Sequence, residues 1–184
     1  MKILVINPGS TSTKIAVYEN ETPLLVRNIK HTVEELSVYP QVIDQFEFRK
    51  NLVLQELEAN GIPFAFDAVI GRGGLVKPIP GGVYAVNEAM KQDTLHAMRT
   101  HACNLGGLIA AELASALPHC RAFIADPGVV DEREEIAHIS GSPLLPKITI
   151  WHALNQKAIA RRFAKEQGSR YEDLDLIICH LGGG

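Results

Sequence analysis

Short apolar runs alternate with segments of helical periodicity along this chain of 184 residues, and the alternation predicts an α/β fold. An apolar run at 2–6 is broken by Pro8-Gly9, and a second run follows at 13–18. Two β-rich runs this close in sequence, joined by a short polar loop, predict an antiparallel hairpin. A third strand is predicted beside them at 23–29.

The rest of the chain continues the same alternation. Asn87 and Asn104 are favoured caps at two predicted helix starts, and Gly168 is expected to end the last helix. The last apolar run leads into glycines that usually form a turn before a further element, so we expect the chain to be the front part of a longer protein. The predicted helices span 41–60, 87–98, 104–117 and 151–167, and the remaining predicted strands span 67–70, 121–125 and 174–181.

Composition argues against several classes of protein. The net charge of −3 provides no broad positive surface for nucleic acid, and no apolar run reaches the roughly 18 residues of a membrane span. Cys103, Cys120 and Cys179 are scattered and odd in number, which is typical of unpaired thiols in the cytoplasm. His-Glu-x-x-His and Cys-x-x-Cys patterns do not occur in the sequence, so no metal cluster is expected.

The loop of the predicted hairpin, Asn7-Pro8-Gly9-Ser10-Thr11-Ser12-Thr13-Lys14, is rich in hydrogen-bond donors. Its hydroxyls, the Asn7 amide and the Lys14 ammonium suit a phosphate group, which needs several donors and a cation. The loop does not have the Walker A pattern. Small polar residues also form ordinary turns, so phosphate binding and a plain turn both stay open.

Arg72 lies in a Gly-Arg-Gly-Gly sequence directly after a predicted strand. Between glycines, its planar guanidinium can reach a bound phosphate or carboxylate without obstruction. The alternative is a solvated arginine on a glycine-rich surface loop.

Two further strand ends carry candidate residues. Asp126 follows the strand at 121–125, where α/β sheets bind ligands, although Asp-Pro also commonly begins a turn. His180 precedes Gly182, Gly183 and Gly184, whose backbone N–H groups could point at a phosphate. A lone histidine such as His152, near the start of a predicted helix, is more often structural.

In this order the motifs resemble the acetate and butyrate kinase family, part of the superfamily that includes actin, hexokinase and Hsp70. The Gly-Arg-Gly-Gly and His-Ala-Leu-Asn-Gln-Lys sequences are similar to the butyrate kinase branch in particular. The resemblance covers nearly the whole chain in ordered blocks, which are 3–14, 71–88, 104–112, 122–130, 152–164 and 180–184.

The resemblance implies a reversible transfer of phosphate from ATP, with Mg²⁺, to butyrate or another short carboxylate. It implies ribonuclease-H-like domains, each a mixed sheet flanked by helices. Residues 1–147 would form the first domain and 148–184 the truncated start of the second. It also implies a homo-oligomer at full length. The truncated chain alone is expected to be inactive.

By position, the resemblance assigns Asn7, Ser10, Ser12 and Lys14 to the loop that meets nucleotide phosphate. It assigns Asp126 to orienting an arginine or a metal-bound water, and His180 to stabilising charge on the transferred phosphoryl group. Gly182, Gly183 and Gly184 match the second phosphate loop. Arg72 stands where acetate kinases have a histidine, and whether it replaces the family's catalytic arginine stays open.

Three other functions are compatible with parts of the sequence. One is a non-catalytic phosphate-binding module of the same superfamily. Another is a kinase for acetate or branched-chain fatty acids. The third is a sugar or glycerol kinase, for which Asp126 would have to serve as the base that deprotonates the alcohol.

Overall fold

The computed structural model describes residues 1–97, 99–145 and 147–181. Its centre is a six-stranded mixed sheet in the order β3-β2-β1-β4-β6-β5. β1, β2 and β3 form an antiparallel meander, β4 and β6 run parallel to β1, and β5 is antiparallel at the far edge. The strands are β1 (Lys2–Pro8), β2 (Ser12–Glu19), β3 (Thr22–Lys30), β4 (Ala68–Arg72), β5 (Val83–Ala85) and β6 (Arg121–Ala125).

Within the described ranges, five α-helices accompany the sheet, and three short 3₁₀ helices lie in the segments between or after these elements. The N-terminal hairpin and all the helices predicted from periodicity are present, while β5 and α1 are additional elements. The α-helices are α1 (Val33–Ser37), α2 (Phe46–Ala59), α3 (Glu88–Leu95), α4 (Asn104–Ser115) and α5 (Ala153–Glu166), and the 3₁₀ helices are Val42–Gln45, Glu135–His138 and Tyr171–Asp173.

The hydrophobic core joins α2 and α4 to the sheet. Alternation along β1 buries Leu4 and Ile6, as the two-residue period of a strand requires. Val53 and Leu57 of α2 lie four residues apart and are buried in the same cluster. Leu105, Ile109 and Leu113 complete it from α4.

Helix α4 crosses β4 at backbone contact distance. A Cβ atom on Gly71 would overlap the carbonyl group of Gly106, and one on Gly106 would overlap the carbonyl oxygen of Arg72. Only glycine at both positions permits this approach. The glycines around Arg72 therefore serve close packing, and they fix the end of β4 against the start of α4.

Two expectations from the sequence are wrong. Residues 174–181 form no strand, and Ile177 and Leu181 are each 93% exposed. An apolar run becomes a strand only where a neighbour completes its hydrogen bonds, and none of the described strands pairs with it. Asn104 does not cap α4, because its side chain accepts from the Leu75 amide and donates to the Arg99 carbonyl.

Other local predictions are confirmed. The Asn87 side chain caps α3 by accepting from the Met90 amide at 2.9 Å, and Gly168 follows α5 with a φ of +66°. None of the helices in the described ranges is long and apolar enough to cross a membrane.

Replacing Gly71 by alanine is expected to destabilise the fold, because the new Cβ would overlap the Gly106 backbone. Overpacking of this kind lowers the free energy of unfolding by about 1–3 kcal/mol, which urea denaturation would measure. Gly141→Ala is the matched control, since a Cβ there meets no heavy atom within 4 Å. Equal stability of the two variants would contradict the backbone contact between α4 and β4.

Candidate active site

The carboxyl ends of three parallel strands meet at one edge of the sheet. Asn7 lies near the end of β1, Arg72 ends β4 and Asp126 follows β6. Because β1, β4 and β6 are mutually parallel neighbours, these residues share the edge at which α/β sheets bind ligands. The hairpin loop between β1 and β2 lies at the same edge.

A cleft of about 780 Å³ opens beside this edge. Two arginines and three histidines line it, and the described lining residues include no carboxylate. Apolar side chains form part of its wall. The lining residues are Arg72, Gly73, Leu75, Arg99, Thr100, His101, Cys103, Gly128, Ile150, Trp151, His152, Gln156 and His180.

The hairpin loop is tightly closed and presents Ser10 to solvent. The Gly9 amide donates to the Ser12 carbonyl at 2.7 Å, which completes the turn. Ser10 is exposed, and its Oγ lies 3.3 Å from Nε2 of His101, a residue of the cleft. The loop therefore borders the cleft through the Ser10–His101 contact.

Arg72 connects the cleft to the first strand. Its Nη1 lies 3.4 Å from Oδ1 of Asn7, a long hydrogen bond that joins the ends of β4 and β1. Lys14 is opposite Asn7 in the hairpin register and is exposed, while Ser12 is partly buried at the start of β2. The structure thus brings Arg72 to Asn7 and places Lys14 opposite Asn7, while Ser10 approaches the cleft through His101.

His180 reaches the cleft from the far side. Its ring stacks on that of His152, with centroids 4.4 Å apart and an interplanar angle of 17°. Nδ1 of His180 also lies 3.3 Å from Oδ1 of Asn155 in α5. The candidate residues Gly182, Gly183 and Gly184 lie outside the described part of the chain.

Asp126 is at the same sheet edge but does not line the cleft. It is 6% exposed and has a φ of +36°, in the left-handed region. Its Oδ1 accepts from the Gly82 amide at 2.7 Å, and its Oδ2 is paired with Arg161 of α5 at 3.0 Å. Both carboxylate oxygens are therefore occupied by partners within the protein.

Burial and, after it, neighbouring positive charges lower the pKa of two of the cleft histidines. Burial, and then the charge of Arg72, lowers the pKa of His101. Burial, and then the charge of His180, lowers the pKa of His152. Burial raises the pKa of Cys103, which keeps its thiol protonated. The cleft thus holds histidines that resist a positive charge until an anion arrives.

Several lining residues are not predicted by the motifs. Arg99 and Trp151 reach the cleft from loops before α4 and α5, and neither occurs in a recognisable pattern. His101 carries no sequence context that separates it from a structural histidine, whereas His152 opens the His-Ala-Leu-Asn-Gln-Lys sequence that resembles the butyrate kinase branch. The stacking of His152 on His180 is visible only in the tertiary structure.

The described residues contain no cluster of three or more metal-ligating His, Cys, Asp or Glu side chains. Asp126, which directly follows β6, already accepts hydrogen bonds from the Gly82 amide and the Arg161 guanidinium. The lining therefore suits an anionic group, whereas a Mg²⁺ ion would find no carboxylate among the described lining side chains.

Comparison with known proteins identifies close relatives. The chain is 94% identical over 184 residues to a "Probable butyrate kinase" of Bacteroides thetaiotaomicron. It is 54% identical to a "Probable butyrate kinase" of Phocaeicola vulgatus and 51% identical to "Butyrate kinase 1" of Clostridium acetobutylicum. The whole chain is matched each time, and it covers 52% of each relative, about half their length. No family model matches the chain.

Solved structures show the same fold at low sequence identity. An acetate kinase of Porphyromonas gingivalis aligns with 92% of the chain and 50% of its own, with a TM-score of 0.62 at 17% identity. An acetate kinase of Entamoeba histolytica aligns with 91% of the chain and 46% of its own, with a TM-score of 0.59 at 14% identity. The expected actin-like fold, a mixed sheet flanked by helices, is confirmed. By sequence, the chain is similar over its whole length to about half of each of these proteins named butyrate kinase, and its fold matches about half of the two acetate kinase structures.

Proposed function

We propose that the chain is part of a butyrate kinase, which transfers the γ-phosphoryl group of ATP reversibly to the carboxylate of butyrate and forms butyryl phosphate and ADP. The observation that carries this proposal is the cleft at the strand ends. Arg72, His101, His152 and His180 converge there beside the Ser10 loop, and no carboxylate lines it among the described residues. Such a cleft favours polyanionic substrates.

Transfer of a phosphoryl group to a carboxylate would use the cationic and hydrogen-bonding side chains of this cleft. A carboxylate substrate is already a nucleophile, so no general base is required. Phosphoryl transfer depends mainly on positioning and on neutralising the charge of the transferred group. Arg72 and His180 would provide that neutralisation, and the loop residues Asn7, Ser10 and Ser12 would orient the phosphates, with Lys14 as a further cation.

The setting of Asp126 favours a carboxylate acceptor over an alcohol. A sugar or glycerol kinase would need a carboxylate base within hydrogen-bond reach of its acceptor hydroxyl. Asp126 is buried and is held by Arg161 and Gly82, away from the cleft lining. We assign it the role of orienting Arg161 and the loop at Gly82, which places it among the positioning residues.

Apolar side chains near Arg72 suit a short aliphatic acid. Leu75, Ile150 and Trp151 line the same cleft as the arginine. A carboxylate bound by Arg72 could therefore direct its alkyl chain against these side chains, where burial contributes about 0.8 kcal/mol per methylene. The proposal names butyrate because the relatives are butyrate kinases, and acetate and branched acids are the competitors to test.

Magnesium, location, assembly and domain division belong to the same proposal. ATP would supply the phosphoryl group, with Mg²⁺ held chiefly by its phosphates. Residues 1–147 and 148–184 would belong to two domains that close over the substrates. The unpaired Cys103, Cys120 and Cys179 are consistent with a cytoplasmic enzyme, and homo-oligomerisation is proposed from the family alone.

A chimera would test the activity. This chain would replace its matching 184-residue segment in the Bacteroides thetaiotaomicron relative, which is 94% identical there. With ATP, Mg²⁺ and hydroxylamine, butyrate is expected to give butyryl hydroxamate, whereas glycerol and glucose give no phosphorylated product. The unaltered relative and the Clostridium protein are controls. A preference for acetate or isobutyrate would correct the acyl substrate, and no product from any acid would contradict the proposal.

Arg72→Ala in this chimera is expected to lower kcat by on the order of 10²–10³, because one charged donor to the transferred phosphoryl group is lost. The urea midpoint should be unchanged, since Arg72 is only half-buried and its described hydrogen bond is the long contact to Asn7. Arg27→Ala is the control, because Arg27 is exposed on β3 and outside the cleft. Near-normal kcat for Arg72→Ala would reject the assigned role.

Anion binding to the chain should strengthen as pH falls. His101 and His152 have lowered pKa values, so they are mostly neutral at pH 7 and gain charge only at lower pH. A bound anion stabilises the charged forms and raises these pKa values. For each histidine, a rise of one unit in its pKa on anion binding corresponds to about tenfold tighter anion binding at low pH than at pH 8.

Sulfate is a suitable probe because its charge is constant over this range. Trp151, the single tryptophan, lines the cleft and can report binding by fluorescence. His101→Gln and His152→Gln are each expected to reduce the pH dependence, and His119→Gln outside the cleft should leave it intact. An affinity that is independent of pH between 5.5 and 8 would contradict the histidine assignment.

A further inference from the structure

A buried arginine lies beneath the hairpin loop. Arg49 of α2 has 0% exposure and shares the inner face of the helix with Val53 and Leu57. Helical spacing places an apolar residue at such a position, and an arginine there must lose its hydration. Because the lost hydration costs free energy, packing alone does not account for Arg49, and the contacts of its guanidinium indicate a further role.

The guanidinium holds the loop from below. Its Nη1 donates to the Ser12 carbonyl at 3.2 Å and to the Thr13 hydroxyl at 2.9 Å. Its Nε donates to Oε1 of Gln45, one helical turn earlier, at 3.0 Å. Two of these three acceptors belong to Ser12 and Thr13 of the hairpin-loop motif, so Arg49 holds the chain where the loop enters β2.

No carboxylate among the described residues pairs with Arg49. Its acceptors are all neutral, and within the described ranges its Nη2 has no hydrogen-bond partner. Burial alone lowers its pKa, and an arginine remains protonated under such conditions. Balancing the positive charge of Arg49 therefore requires an anion that is not among the described residues.

His31 completes the cluster without adding charge. Its Nε2 lies 2.8 Å from Oγ of Thr13, and its backbone amide donates to the Thr11 carbonyl at 2.9 Å. Burial, and then the charge of Arg49, lowers the pKa of His31. Thr13 can then accept from Arg49 and donate to the neutral imidazole, which leaves Arg49 as the cation of the cluster. Glu35 is the one carboxylate that acts on His31, and it caps the exposed helix α1.

The field of Arg49 also reaches the cleft. Its charge is one of the causes that lower the pKa of His101, after burial and Arg72. His101 is in turn 3.3 Å from Ser10 Oγ. A phosphate bound at this place would therefore be attracted by the same charge, which is screened less by the protein interior than by water.

We propose that Arg49 is a positioning residue for phosphate, which fixes the Ser10–Thr13 loop from beneath and attracts the anion with its uncompensated charge. This inference rests on the proposed phosphate site and names the residue that makes the loop selective for anions. The charge is costly in the empty protein, and the arriving phosphate compensates it.

Three variants of the 184-residue chain separate this role from a structural one. Arg49→Met has similar length and no charge, and it is expected to weaken sulfate binding on the order of tenfold. Its urea midpoint is expected to change little, because the desolvation cost of the buried charge is removed while the Gln45, Ser12 and Thr13 acceptors lose their donor. Arg49→Lys should restore most of the affinity. Arg27→Met, an equal loss of charge at an exposed site, is the control.

A lower urea midpoint with unchanged sulfate affinity for Arg49→Met would overturn the inference and leave a structural role. Failure of the unaltered chain to bind sulfate would overturn it as well. The chimera separates this result from the proposed function. Loss of sulfate affinity in Arg49→Met, together with no acyl phosphate from the chimera, would refute the butyrate kinase proposal and support the anion-positioning role.

Discussion

The parallel pairing of β1 with β4 is the constraint on which the candidate site depends. It brings the end of each strand to one edge, so that Asn7 and Arg72 are within hydrogen-bond reach although 65 residues separate them. The glycine contact between β4 and α4 then places His101, just before α4, against the Ser10 loop. The cleft forms because the end of β1, the end of β4 and the segment just before α4 meet at this edge of the sheet.

The proposed preference of the cleft for anions rests on its electrostatics. Arginines and histidines line it without a described carboxylate, and Arg49 adds a buried charge behind the loop. The carboxylates of the neighbourhood are instead paired away from the cleft, as Asp126 is with Arg161 and Glu132 with Lys157. These two ion pairs connect α5 to the sheet region, so the acidic groups join the elements while the cations remain available to a ligand.

Much of the fold could be predicted from the sequence, because apolar periodicity and the residues that begin or end helices and strands are local signals. The hairpin, β4, β6 and the longer helices follow from apolar spacing and from Asn, Gly and Pro at their ends. The predicted strand at 174–181 fails because a strand also needs a neighbour, which no local pattern provides. Asn104 fails as a cap because Leu75 and Arg99 occupy its side chain.

The site residues also divide into those that local motifs predict and those that only tertiary contacts reveal. Ser10, Arg72 and His180 stand in motifs that can be compared with a family, so sequence reasoning reaches them. His101, Trp151 and Arg49 contribute only through tertiary contacts, and Arg49 interrupts an apolar face where the helical pattern gives no reason to expect a charge. Residues of this second kind need a structure.

A crystal structure of the chain with bound ADP or tripolyphosphate tests the central claim most directly. We expect phosphate oxygens within hydrogen-bond distance of Ser10 Oγ and of the Arg72 guanidinium, with the Arg49 side chain still beneath the loop. Phosphates bound outside the cleft, with Ser10 and Arg72 both unoccupied, would contradict the account.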